Sequence, residues 1–150
     1  MKKLITSILL IGMWAFSHAQ DTNRVVKTTG HVSVNGKNIN YEATTGFFAL
    51  KDNTGKAVAD IFFVAYTKND VSDVRKRPIT FVFNGGPGSS SAWLHMGAIG
   101  PMKVSTTEYG KTELPPKTFN LVNNDQCWLD ITDLVFIDPV GCGFSKPIGE

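Results

Sequence analysis

Ile79-Thr80-Phe81-Val82-Phe83-Asn84-Gly85-Gly86-Pro87-Gly88-Ser89-Ser90-Ser91 is the stretch on which the reading of this chain turns. Residues 79–83 are nearly all apolar, β-branched or aromatic, which suits a strand covered on both faces. Glycines then tolerate positive φ and allow close approach to their backbone, while Pro87 stiffens the segment. A helix is expected from Ser90 to Ala98, with Ser89 or Ser90 as its N-cap. A strand, a glycine turn and a helix start leave backbone N–H groups aimed into the space above a sheet. Acyl-transfer chemistry needs such donors where negative oxygen develops, and each one removed costs ~3–4 kcal/mol of barrier stabilisation. The phosphate-binding alternatives fail on residues. No lysine follows a final glycine, and Gly86-Pro87-Gly88-Ser89-Ser90-Ser91 lacks the third glycine of a dinucleotide fingerprint. An ordinary strand-to-helix turn stays open on the glycines alone.

A second apolar run, Leu134-Val135-Phe136-Ile137-Asp138, reads as another doubly covered strand and leads into the turn Asp138-Pro139-Val140-Gly141-Cys142-Gly143. Upstream the pattern differs. His31–Asn35 and Asn38–Ala43 flank Asn35-Gly36, the dipeptide of a tight hairpin. Phe47–Leu50 and Ala59–Tyr66 form a second candidate hairpin around residues 51–56. The segment 105–118, with Pro115-Pro116, reads as a polar surface excursion. The fold class expected is α/β, with antiparallel hairpins leading into a parallel sheet that these strands leave incomplete.

The glycine stretch, followed by Gly97-Ala98-Ile99-Gly100-Pro101, resembles the signature of the serine carboxypeptidase family of the carboxypeptidase Y type. So does the second block, Asp133–Ser145. The resemblance runs from about residue 30 to 147, and the N-terminal hairpins look like those of bacterial members. It implies the N-terminal portion of an α/β-hydrolase fold, a Ser-Asp-His triad, and removal of single residues from peptide C-termini. It implies no cofactor. Carried over by position, Gly86 is the catalytic oxyanion-hole N–H, and Asn84 and Gly85 are the substrate-binding groups for the terminal carboxylate. The chain departs from the family at Val82 (a tryptophan there), Ala98 (a glutamate) and Ser89 (a cysteine). That glutamate must be protonated to help hold a carboxylate, so its loss implies less dependence on acid pH.

No Gly-x-Ser-x-Gly or Gly-Glu-Ser-Tyr occurs in residues 1–150. Ser89–Ser91 and Ser145 are not the family's nucleophile, His95 reads as a packed helix residue, and Asp138 as the end of its strand and the cap of a turn. Residues 20–150 are expected to be the front of a hydrolase domain, cut before the nucleophile, silent alone and unable to fold alone. Two rivals stay open: another exported hydrolase, such as an aminopeptidase or esterase, and a non-catalytic binder of peptides or carboxylates.

Lys2-Lys3, the thirteen residues Leu4–Phe16 and Ser17-His18-Ala19 form a signal-peptide pattern over residues 1–19, with the cut after Ala19 and export to the periplasm or beyond. Thirteen residues are short of the ~20 of a membrane span, so no stable membrane insertion is expected once the signal is cut. The whole chain has 15 basic and 13 acidic residues, and the signal takes two lysines and no acids. That balance, and the brevity of Arg75-Lys76-Arg77 in a solvated loop, argue against a nucleic-acid partner. The expected partner is a peptide with a free C-terminal carboxylate. Cys127 and Cys142 match no metal pattern, their pairing is open, and no metal site is expected.

Overall fold

The computed structural model describes residues 25–105 and 119–149. The signal-peptide reading and nearly all of the expected 105–118 excursion lie outside those residues. Three antiparallel strands open the fold: β1 (Val26–Val34), β2 (Lys37–Lys51) and β3 (Ala57–Lys68). Asn35 and Gly36 take φ of 49° and 74°, the paired positive values that match a two-residue turn to strand twist. The β2–β3 turn is nucleated by Asp52, whose Oδ1 accepts from the Thr54 N–H at 2.8 Å and the Lys56 N–H at 3.0 Å. The two expected hairpins are one meander. Asn38–Ala43 and Phe47–Leu50 belong to the same 15-residue strand, because Thr44, Thr45 and Gly46 keep their pairing with Ala65, Val64 and Phe63.

The chain then leaves the meander through a short 3₁₀ turn, Val74–Lys76, and returns as β4 (Ile79–Val82). Next comes α1, Ala92–Leu94, which widens into a π-helical turn, His95–Ile99. A small two-stranded sheet follows, β5 (Met102–Val104) with β6 (Leu121–Asn123). Then come a 3₁₀ turn, Trp128–Asp130, the strand β7 (Asp133–Ile137), and β8 (Lys146–Pro147), which pairs with β3. The main sheet runs β1-β2-β3-β7-β4, so β7 lies between β3 and β4. It is antiparallel to β3 and parallel to β4. The mixed sheet is a partial α/β arrangement, with the hairpins leading into one parallel pair.

Register assigns the two faces. Tyr66 and Thr80 lie opposite Leu134, and Val64 and Val82 opposite Phe136. Leu134, Phe136 and Val82 join Val32, Val34, Ile39 and Tyr41 in the core, against which Leu94 and Ile99 of the helix pack. Burying each such side chain contributes about 1.5–3 kcal/mol. The opposite face carries Phe63, Ala65, Val135, Ile137, Ile79 and Phe81. There Ile79 is 55 % and Phe81 57 % exposed, the open apolar face expected of an incomplete sheet. Among the described residues no helix lies over that face, so the apolar pattern of β4 is satisfied on one side only.

Arg75 and Lys76 are exposed, as expected of a solvated loop, but Arg77 turns inward. Its Nε meets Asp133 Oδ1 at 2.6 Å, and a terminal guanidinium nitrogen donates to the Leu129 carbonyl at 2.6 Å. Its side chain is 9 % exposed. Asp133 Oδ1 also accepts the Lys68 N–H at 3.0 Å, which fixes the start of β7 against the end of β3.

Candidate active site

Because β4 and β7 are parallel, the loops that follow them leave from the same end of the sheet. Ligand sites in open α/β sheets form at such carboxyl ends. The first loop runs over residues 83–91 and the second over 138–145. Asn84, Gly85 and Gly86 sit in the first, directly beyond β4, with the two glycines exposed.

Gly86 has φ of 90° and Gly88 φ of 79°, a conformation that side chains resist. Neither the Gly85 N–H nor the Gly86 N–H is satisfied by any described residue; the loop's own backbone bond is Ser89 N–H to the Gly86 carbonyl, at 3.4 Å. Two consecutive, exposed, unpaired donors at the mouth of a parallel strand pair can receive an anionic oxygen. Asn84 is half-buried, and its amide nitrogen donates to the Gly85 carbonyl at 3.2 Å. An amide nitrogen carries two hydrogens, so that bond leaves one for a ligand. The three expected site residues therefore lie together.

The base of the loop is closed by a residue that the sequence left undistinguished among three serines. Ser91 is 3 % exposed. Its hydroxyl reaches the Val82 carbonyl at 3.3 Å and, through a short hydrogen bond, the Ile137 carbonyl, so it bridges the last residues of β4 and β7. The helix starts after Ser91, whose side chain makes no cap bond. Ser90 Oγ accepts from the Ala92 N–H only at 3.5 Å, and Ser89 makes no such bond. The N-cap position is thus Ser91, one residue past the expected Ser89 or Ser90, and its hydroxyl does not cap the helix because it is drawn inward to the two strand ends.

Asp138 directly follows the last residue of β7 and caps the following turn, close to the expected strand end. Its Oδ2 accepts the Phe144 N–H at 3.2 Å, and its carbonyl accepts from Ser145 Oγ at 2.7 Å. Ser145 is 2 % exposed and also receives the Phe62 N–H at 2.8 Å, which makes it a strut rather than a nucleophile. A packed role holds for His95 too. Its ring stacks on Phe136 at 4.5 Å, and its Nε2 shares a 2.6 Å hydrogen bond with the Tyr66 hydroxyl. Burial pushes the imidazole down to about 4 despite the opposing pull of Asp138, and burial raises the Tyr66 phenol.

Val82, where the family carries tryptophan, is buried in the core at 6 % exposure. Ala98 lies in the last turn of the helix, where its carbonyl accepts from the Asn124 side chain at 2.7 Å. Asn124, 1 % exposed, also donates to the Gly100 carbonyl at 2.8 Å and so holds the end of the helix. Nothing in its polar surroundings, Asn123-Asn124-Asp125, singled it out. Cys127 and Cys142 both carry free thiols, and burial raises that of Cys127. Among the described residues no group of His, Cys, Asp and Glu could hold a metal ion, and no helix is long and apolar enough to cross a membrane.

The sequence profile described as serine carboxypeptidase matches residues 33–147. Serine carboxypeptidase-like 29 of Arabidopsis thaliana is 30 % identical over 147 residues, covering 95 % of this chain and 28 % of the plant protein. The pheromone-processing carboxypeptidase KEX1 of Saccharomyces cerevisiae is 35 % identical over 95 residues, covering 63 % of this chain and 12 % of the yeast protein. The crystal structure of that prohormone-processing carboxypeptidase superposes with a TM-score of 0.54 at 29 % identity, over 69 % of this chain and 20 % of the other. The chain thus spans less than a third of the length of each of these relatives.

Proposed function

The chain belongs to the serine carboxypeptidase family, and from that membership we propose that the 84–88 loop is the oxyanion and carboxylate site of an exported serine-type carboxypeptidase. The observation that carries this reading is the pair of N–H groups at the exposed Gly85 and Gly86, beyond the end of β4, that no described residue satisfies. The Gly86 N–H stabilises the oxyanion that forms when a serine attacks the last peptide bond. The Gly85 N–H and the Asn84 amide hold the substrate's terminal carboxylate, which places that last bond at the nucleophile. A backbone donor and an amide donor suit a carboxylate without needing a buried cation.

Residues 1–150 contain no nucleophile elbow, so on this reading they carry no hydrolysis by themselves. The reading places the serine, and after it the Asp and His, beyond Glu150. Export rests on the signal-peptide pattern of residues 1–19. A second reading, an exported aminopeptidase or esterase, draws on Val82 and Ala98. Neither side chain can donate to a carboxylate, so terminal-carboxylate recognition rests on fewer groups than in relatives that keep the tryptophan and the glutamate.

The test compares an N-blocked dipeptide with its C-terminal amide, using the full gene product. A carboxypeptidase prefers the free acid, and Asn84→Ala raises KM for the acid while leaving the amide unaffected. Gly86→Ala, which forces a β-carbon onto φ of 90°, lowers kcat by about 10²-fold. Equal turnover of acid and amide, insensitive to Asn84, would transfer the protein to the second reading.

A further inference from the structure

We propose that Asp138 is a positioning residue for the oxyanion loop, its carboxylate locking the 83–91 loop to the 138–145 loop so that the Gly86 N–H is held in place. The inference deepens the carboxypeptidase reading and takes its catalytic consequence from it. Asp138 is 6 % exposed, and none of the ion pairs among the described residues includes it. A buried carboxylate without a cation is costly unless hydrogen bonds compensate. Here the compensation comes from two different loops. Oδ1 accepts the Ser91 N–H at 2.8 Å, and Oδ2 accepts the Phe144 N–H at 3.2 Å. The backbone of Asp138 is fixed as well, its N–H donating to the Phe62 carbonyl at 3.1 Å and its carbonyl held by Ser145. The carboxylate is therefore anchored to the sheet and reaches outward to both loops.

The packing leaves that carboxylate little freedom. A β-carbon at Gly143 would land on Asp138 Oδ2 and lie 2.9 Å from the Ser90 Cβ, so the two loops touch around the carboxylate. Ser91 is the downstream end of the glycine loop. With its hydroxyl on Val82 and Ile137 and its N–H on Asp138, both ends of the 83–91 stretch are tied to strands. An asparagine at 138 offers one acceptor oxygen and one NH₂ group, so one of the two N–H groups would face a donor instead of an acceptor. Either consequence loosens the junction while keeping the side-chain volume. A displacement of about 1 Å in a catalytic donor can cost about 10²-fold in rate.

Asp138→Asn and Gly143→Ala, in the full gene product, test this by two routes, one changing the carboxylate and the other displacing it. Hydrogen exchange by mass spectrometry reads the loop directly. In peptides spanning 84–91, exchange of the paired Ser89 and Ser91 amides is expected to accelerate at least tenfold in both variants, with the β1–β2 peptides unchanged. On a blocked dipeptide, kcat is expected to fall about 10²-fold in Asp138→Asn, and KM for the free acid to rise with it, since Asn84 and Gly85 share the loosened loop. Unchanged exchange over 84–91, or faster exchange everywhere at once, overturns the positioning role. So does wild-type turnover with an unaltered kcat in Asp138→Asn, which leaves the carboxypeptidase reading intact. A wild type that turns over no peptide, while the variant loop exchanges fast, sinks the carboxypeptidase reading and keeps the coupling of the loops.

Discussion

Acid should weaken this fold through His95. The imidazole is stacked on Phe136, hydrogen-bonded to the Tyr66 hydroxyl and largely withdrawn from water. Burial holds it down to about 4, against an ordinary value near 6.5, and the Asp138 carboxylate recovers only part of the difference. The unfolded chain therefore binds a proton at this residue before the folded chain does. Stability is fully present above pH ~6.5, declines as pH falls, and levels off below pH ~4, where both states are protonated. The span corresponds to about 3 kcal/mol, nearer 2 once the partial exposure of the ring is allowed for. Equilibrium urea unfolding of the full gene product at half-unit pH steps from 7.5 to 3.5 measures the loss. His95→Gln, which can keep a hydrogen bond to Tyr66 but cannot titrate, isolates its source. The variant should lack this part of the decline, so its stability gap to wild type changes by about 2 kcal/mol between pH 7 and pH 4. Parallel profiles for the two proteins would refute the reasoning, and so would a wild type that gains on the variant as acid is added.

Arg77→Ala should cost about 3 kcal/mol of unfolding free energy, because it leaves the Asp133 carboxylate without its cation and the Leu129 carbonyl without its donor; urea titration of the variant checks this. A loss below 1 kcal/mol would mean that the pair is solvated after all. With Ala98 in place of the family's glutamate, kcat/KM on a blocked dipeptide should not collapse above about pH 6, and Ala98→Glu should shift the profile towards acid. Residues 20–150 expressed alone should not give a monomer with a sharp thermal transition, since Ile79 and Phe81 stand open to water; calorimetry with light scattering decides.

The parts of this fold that sequence conveyed are those set by local chemistry. Asn35-Gly36 names its own turn, and the apolar runs at 79–83 and 134–138 announce strands. The positions of Gly85 and Gly86 follow from the strand that precedes them. What was not legible depends on partners distant in the chain. The continuity of β2 through Thr44-Thr45-Gly46 is decided by β3, since those residues are poor strand signals unless a paired neighbour holds them. Arg77 looks like a surface cation until Asp133 and the Leu129 carbonyl lie beside it. Ser91 shares its residue type with Ser89 and Ser90, and only the parallel pairing of β4 with β7 puts two strand-end carbonyls within reach of its hydroxyl. The one-sided burial of β4 matches the incomplete sheet expected from sequence: composition announces a strand suited to two covers, and the described residues supply one.

The strand order also constrains how the sheet can assemble. The meander of β1 to β3 closes through contacts between chain neighbours and can form quickly, on the microsecond scale of hairpins. β4 comes next in the chain, yet its strand partner is β7, with Ile79 opposite Asp133. Among the described residues β4 reaches the sheet only through β7, and that junction must close a much longer loop. A chain emerging residue by residue therefore carries its glycine turn without a scaffold until the Ile137 region has joined the sheet. The strand made later admits the strand made earlier, so the loops beyond β4 and β7 cannot meet on a half-made sheet.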